Sequence, residues 1–312
     1  MSLLWWFWLV FAAVVFGLLA LDLGVFHRHA QVVTVKDATI WTAVRVIIAL
    51  LFGAGIYYWL GPTRGLEYFT GYLIEQALSL DNIFVFVLIF SYFRVPAEYQ
   101  HRVLFWGVIG ALVMRGVMIA LGAALIARFH WVIYVFGAFL VVTGAKMAIQ
   151  KEEGIEPDKN PVLRWARRIM PVTPDYEGEH FFVVKDGVRM LTPLFLVLVF
   201  VETTDLMFAV DSIPAIFAVT RDPFIVFTSN VMAILGLRTL YFLLAGIINL
   251  FRYLKVGLAV VLVFVGVKML ISEIYHIPIG LSLGVVAGII GLSILLSLLI
   301  PAREPQGAGA RD

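Results

Sequence analysis

Apolar side chains in this chain fall in long unbroken runs, not in the one-sided stripe of a helix with a wet face. Nine runs have roughly the 20 residues a helix needs to cross a bilayer. They lie near residues 3–22, 42–60, 67–93, 103–127, 131–149, 191–219, 224–248, 256–274 and 278–300. All are rich in Leu, Ala and Gly, and none alternates as a membrane β-barrel strand does. The pattern predicts an all-α polytopic membrane protein with about nine transmembrane helices. The first run opens MSLLWWFWLVFAAVVFGLLAL. It has no basic start and is long for a signal peptide, so it reads as a retained anchor.

The polar stretches between runs orient the chain. Basic residues in short loops mark the cytoplasmic side. Of the 23 Lys and Arg, fifteen fall in one alternate set of loops, among them Arg94, Arg102, Arg164, Arg167, Arg168 and Arg189; three, Arg64, Arg128 and Arg221, fall in the other. The remaining five, Arg45, Arg115, Lys146, Arg238 and Lys268, belong to helices. The N-terminus is expected outside and the C-terminus in the cytoplasm. The long loop 150–190 starts irregular, with Gly154, Pro157, Pro161, Pro171 and Pro174. Within it Val162–Met170 reads either as a short basic helix on the anionic inner leaflet or as a solvated connector. Phe181–Arg189 reads as a hairpin turning at Asp186-Gly187. The segment after Pro301 reads as a short cytoplasmic tail.

Composition agrees with this picture. Hydrophobic residues make up 62% and charged residues 14%, and the mean hydropathy is +0.98. Soluble domains average about 45–50% apolar and 25% charged. That excludes a soluble two-domain enzyme and a disordered chain. With 23 basic and 21 acidic residues there is no nucleic-acid footprint. There is no cysteine, which excludes disulfides, thiolate metal sites and cysteine nucleophiles.

Two blocks of the chain are alike. Glu75-QALSL-Asp81-Asn82 matches Asp205-LMFAV-Asp211-Ser212 at an offset of 130; Gly107-VIGALVM-Arg115 matches Asn230-VMAILGL-Arg238 at 123; and Gly144-Ala-Lys146 matches Gly266-Val-Lys268 at 122. Each block covers three helices, 66–149 and 191–274, joined by the 150–190 loop. Residues 1–61 supply two helices before them and 278–300 one after. Three is odd, so the second block enters from the opposite face. Inverted repeats of this kind frame a midplane substrate site in many transporters.

Five carboxylates lie deep in these runs: Glu75, Asp81, Glu202, Asp205 and Asp211. With Arg115 and Arg238 they would cost on the order of 17–25 kcal/mol if all faced lipid. Five acids against two arginines leave three negative charges, a surplus that favours a cation. Carboxylates, the Asn82 amide and the Ser79 and Ser212 hydroxyls are hard oxygen ligands suited to Mg, Ca or Mn. No histidine lies near them in sequence, which argues against zinc or copper. The metal-binding candidates are therefore Glu75, Asp81, Asn82, Glu202, Asp205 and Asp211, with Ser79, Ser212, Arg115 and Arg238 as structural partners or gates. Residues six apart stand about 9 Å and 120° apart on an ideal helix. Glu75 and Asp81 then form successive stations along a path, or their helix is broken. Pro214 favours a break beside Asp211. A plainer reading pairs Asp81 and Asp211 with Arg115 and Arg238.

The segments FTGYLIEQALSLDNIFVF, FSYFRVPAEYQHRVLFWGVIGA, YVFGAFLVVTGAKMA, Glu202-TTDLMFAVDSIPAIFAVT and SNVMAILGLRTLYFLLAG resemble the TerC family of membrane proteins over about residues 66–300. The resemblance implies an inner-membrane protein related to cation exporters, and in its nearest branch an exporter of Mn2+. By motif Glu75, Asp81, Glu202, Asp205 and Asp211 match the family's membrane acids. The expected partners are a divalent cation and membrane lipids, with no nucleic acid and no resident cofactor. The alternative function is a membrane scaffold or assembly factor for metalation or insertion of other proteins. An embedded hydrolase is disfavoured, because the helices hold no HExxH and no hydrolytic Ser/His/Asp set.

Overall fold

The computed structural model describes residues 2–26, 35–129, 131–149, 160–185, 187–244, 253–275 and 277–300; the side chains of 2–4, 22–26, 35 and 81 are not among those described. The described residues form ten helices and one hairpin: α1 (Ser2–Phe26), α2 (Val35–Trp59), α3 (Pro62–Tyr92), α4 (Ala97–Arg128), α5 (Val132–Ile149), α6 (Pro161–Ile169), β1 (Phe182–Lys185), β2 (Val188–Leu191), α7 (Pro193–Phe217), α8 (Pro223–Leu244), α9 (Leu254–Leu270) and α10 (Ile279–Leu299). Seven of them, α2–α5, α7, α8 and α10, are long and apolar enough to cross a membrane. The nine apolar runs correspond to α1–α5 and α7–α10, and α6 is the short basic segment. Proline opens α3, α6, α7 and α8, where its missing N–H and fixed φ cost nothing.

Pro214 does not break its helix. α7 continues through it to Phe217, and the Pro214 carbonyl accepts the Ala218 N–H at 3.0 Å as the helix closes. A proline this close to a helix end disturbs one turn only. The hairpin forms in the expected place, with Gly187 at φ 77° in its turn; Asp186 lies outside the described residues.

α8 is the hub: 94% of its most apolar stretch is buried by protein rather than left to lipid. α2, α3 and α4 pack around it, and α1 lies against it. Arg45 of α2 is held there by the Leu235 carbonyl (2.8 Å) and Thr239 Oγ1 (3.1 Å) of α8. Exposed Leu, Val, Phe and Trp cover the outer faces, among them Trp5, Phe16, Leu51, Leu121, Val142 and Leu298. Such a continuous apolar exterior suits lipid.

The helix pairings have a symmetry of their own. α3 packs on α8 and α4 on α7; α3 also packs on α7, α4 on α8, and α5 on α9. Exchanging α3, α4, α5 for α7, α8, α9 returns the same set. The α5–α9 seam repeats this at atomic scale. A Cβ on Gly266 would stand 2.7 Å from the Gly137 carbonyl oxygen, and one on Gly144 2.7 Å from the Ala259 carbonyl oxygen. At an offset of 122, Gly144 corresponds to Gly266 and Gly137 to Ala259, so the two contacts are images of each other. α3 and α7 run in opposite directions. The start of α3 meets the α7–α8 connection through Arg64–Asp222 (3.2 Å) and Thr220 donating to Glu67 (2.7 Å), while Phe93 beyond its end meets Phe200 in the first third of α7 edge to face.

Gly266→Ala is expected to lower the thermal unfolding midpoint of the detergent-purified protein, since the new methyl meets backbone that has nowhere to go. The cost of overpacking is about 1–3 kcal/mol. Gly284→Ala, on an open face of α10 with nothing within 4 Å, is expected to leave the midpoint unchanged.

Candidate functional site

The site grows from three helices that cross near their middles. Glu75 lies near the middle of α3, Arg115 in the second half of α4 and Asp205 in the middle of α7. Arg115 is completely buried, and its guanidinium joins the other two helices. Nη1 donates to Glu75 Oε1 and to Ser212 Oγ (3.2 Å), while Nε and Nη2 donate to Asp205 Oδ2 (3.2 Å) and Oδ1 (3.0 Å). The two-pronged grip on Asp205 uses the planar fork that only arginine offers. Asn82 Nδ2 completes the ring by donating to Asp205 Oδ1 at 3.4 Å. Asp205 and Ser212 are seven apart, so they share a face of α7; Glu75, Ser79 and Asn82 share a face of α3 in the same way.

Several oxygens in this ring are left over. Glu75 Oε2, Ser79 Oγ, Asn82 Oδ1 and Glu202 Oε2 are buried with no hydrogen-bond partner among the described residues. A buried polar atom without a partner costs about 1–3 kcal/mol. Four acceptors in one region therefore make a standing demand for a donor or a cation. Glu202 stands one turn from Asp205 on α7, against Gly110 of α4, where a Cβ would fall 2.0 Å from its Oε1. A methyl at Gly110 would push the Glu202 carboxylate, the movable end of its side chain, out of this position.

A small cavity adjoins the ring. Asp205 and Arg238 line it together with Gly107, Ala111, Val201 and Phe86. These neighbours lie toward the α3–α4 connection and the start of α7, so the cavity sits on the side of the 150–190 loop.

The structure redistributes the expected pairs. Among the described side chains, Arg115 binds Glu75 and Asp205 and not Asp211. Asp211 lies about 120° around α7 from Asp205. It turns to α5, where Thr143 hydrogen-bonds it and Lys146 is within electrostatic reach. Lys146 lies in the last turn of α5. The side chain of Asp81 lies outside the described residues. Both α3 and α7 are continuous helices, so a broken helix does not bring acids six apart onto one point. Among the described residues, no three acidic or histidine side chains gather as a metal cluster. Among the described side chains, Glu75, Glu202 and Asp205 lie near Arg115 and Arg238, an excess of one negative charge. Gly110 and Thr143 were not singled out by sequence reasoning, and Asn230 entered it only as a landmark of the second block. Asn230 is fully buried, with both amide atoms unpartnered among the described residues.

Arg115→Met is expected to destabilise the protein by about 3–5 kcal/mol, since it strands two buried carboxylates. Adding Asp205→Asn is expected to restore part of the loss. Thermal unfolding of the single and double variants checks both.

The comparisons with known proteins match this architecture. Residues 60–305 match the model of the integral membrane protein TerC family. An uncharacterised membrane protein of Myxococcus xanthus is 55% identical over 298 residues, covering 96% of this chain and 93% of that one. Alx of Escherichia coli, whose name describes a proposed membrane-bound redox modulator, is 50% identical over 311 residues, 97% of each chain. A membrane protein of Rickettsia bellii is 43% identical over 292 residues, covering 94% of this chain and 97% of its own. No solved structure matches. A family model that spans the Arg115 ring and both three-helix blocks, together with relatives similar along nearly their whole length, makes this chain a member of the TerC family of integral membrane proteins.

Proposed function

We propose that this protein carries a hard divalent cation out of the cytoplasm across the bacterial inner membrane, and that the cation is Mn2+, as the family resemblance implies. The observation that carries the reading is the set of four buried, unpartnered oxygens on Glu75, Ser79, Asn82 and Glu202 beside a carboxylate pair that one arginine holds together. A divalent ion can replace the arginine as counter-charge and satisfy those oxygens at once. Carboxylates and amides select a hard ion over a soft one.

The symmetry of the packing supplies a way to move it. α3–α5 and α7–α9 act as two inverted halves, with the N-terminus outside and the 150–190 loop in the cytoplasm. A cation enters by the cavity at Asp205 and Arg238. As it reaches Glu75, Arg115 releases the two acids. The halves then rock about the α5–α9 seam. By the offset of 123, Arg238 stands where Arg115 stood, so in the outward state Arg238 closes on the pair once the ion has left. Protons returning on the same carboxylates balance the charge. Asp81, Asp205 and Asp211 complete the path, with Asp211 an exit station beside Lys146.

The test uses the purified chain in liposomes that contain a manganese-sensitive dye. Wild type is expected to admit Mn2+. Glu75→Gln, Asp205→Asn and Glu202→Gln are expected to lower the rate at least tenfold. Gly110→Ala, which removes no ligand but evicts Glu202, is expected to slow it as well. Glu98→Gln, on the exposed first turn of α4, leaves it unchanged. Absence of flux from well-folded protein that instead forms stable complexes with other membrane proteins favours the scaffold reading.

A further inference from the structure

The transport reading makes no use of α6. Its nine residues form a helix because Asn160 caps it, accepting the N–H groups of Val162 (2.9 Å) and Leu163 (3.2 Å), and Pro161 opens it. The helix has three faces at 100° per residue. Leu163 and Ala166 are buried in the main core. Val162, Trp165 and Ile169 lie within about a 60° arc beside that buried face. They are 39%, 65% and 56% exposed. Arg164, Arg167 and Arg168 take the remaining side. Among the described residues Arg164 and Arg168 form no ion pair.

The surroundings fix the level of this helix. Its core face packs on α7. The hairpin that follows sets Phe182 against Phe195, the third residue of the α7 span, with ring centroids 4.8 Å apart. The Tyr176 phenol donates to the Phe93 carbonyl at the end of α3 (2.8 Å), and Arg102 at the start of α4 pairs with Glu179 at 3.4 Å. Burial pushes the Tyr176 phenol up to about 12, so it stays a donor across the physiological range. The loop is therefore pinned to the ends of three membrane helices, and α6 lies about one helix diameter from the point where α7 enters the apolar layer.

An exposed tryptophan–isoleucine stripe at that level, edged by Arg164 and Arg168 without carboxylate partners among the described residues, fits one kind of surface. We infer that α6 is a recognition element for anionic lipid. Val162, Trp165 and Ile169 enter the acyl boundary of the leaflet, and Arg164 and Arg168 hold the headgroup phosphates. Arg189 extends the basic edge, its guanidinium lying 4.9 Å from the centroid of the Phe182 ring. Charge complementarity selects lipid over an apolar protein groove, because a groove that received the stripe would have to bury the arginines with it. This inference stands whether or not the chain moves an ion.

The absence of cysteine makes the test direct. Ile169→Cys in the full chain carries one environment-sensitive fluorophore, and the protein is placed in nanodiscs of phosphatidylcholine alone or with one quarter phosphatidylglycerol. With phosphatidylglycerol, emission is expected to shift to the blue and to be quenched by acyl-chain nitroxides. Arg164→Gln and Arg168→Gln are each expected to lower the ratio of inserted to free helix about fivefold, the worth of one basic residue at an anionic surface. A label at Leu163→Cys reports whether the core face stays packed in these variants. The inference is overturned if the label is equally wet in both bilayers. It is also overturned if insertion is the same without phosphatidylglycerol or without the arginines. Protection of the label in detergent with a doubled particle mass would assign the stripe to a second copy instead.

Discussion

The contact on which the rest depends is the Arg115 guanidinium set between Glu75 and Asp205. It joins α3, α4 and α7 through three buried side chains. Each member is tolerable only because of the others. Removing the arginine leaves two stranded carboxylates, and removing both acids leaves a stranded cation. Three groups that no single helix could carry into the bilayer are thus carried in together, and the crossing of the helices is fixed by their bonds. The surrounding small residues follow from the same demand. Gly110 makes room for Glu202, and the Gly137–Gly266 and Gly144–Ala259 contacts let α5 and α9 approach to backbone distance.

Such a ring is not a static brace of the ordinary kind. A brace satisfies every lone pair, and this one leaves Glu75 Oε2, Asn82 Oδ1, Ser79 Oγ and Glu202 Oε2 unmet. Among the described side chains, Glu75, Asp205 and the neighbouring Glu202 outnumber Arg115 and Arg238. The ring's arginine also has a counterpart, Arg238, which lines a cavity against the same Asp205. A competing positive charge would find ligands waiting and a substitute clamp nearby. The physical argument for an ion substrate rests on this incompleteness, not on a preformed metal cluster.

Much of this was legible in the sequence because the membrane constrains it. The nine apolar runs correspond to helices whose ends differ from the runs by up to about seven residues, since a backbone in lipid has no other way to satisfy its polar groups. The polar landmarks suggested a repeat, and on the α5–α9 seam Gly144 and Gly266 make corresponding contacts. Partner choice was not legible. Spacing placed Asp211 with the other acids, yet it faces α5, because the six-residue step from Asp205 turns it a third of the way around α7. Pro214 suggested a break, but so near the end of α7 it perturbs only the last turn. Gly110 was silent because glycine carries no signal until the helix opposite is known.

The most direct test of the account is anomalous scattering from manganese in crystals of the full chain soaked in Mn2+. The account predicts a peak among the Glu75, Asn82 and Glu202 oxygens, at metal–oxygen distances of about 2.0–2.6 Å, with Arg115 withdrawn from at least one of its two carboxylates. Manganese bound only at the protein surface, with the Arg115 bridge to Glu75 and Asp205 intact, would contradict it.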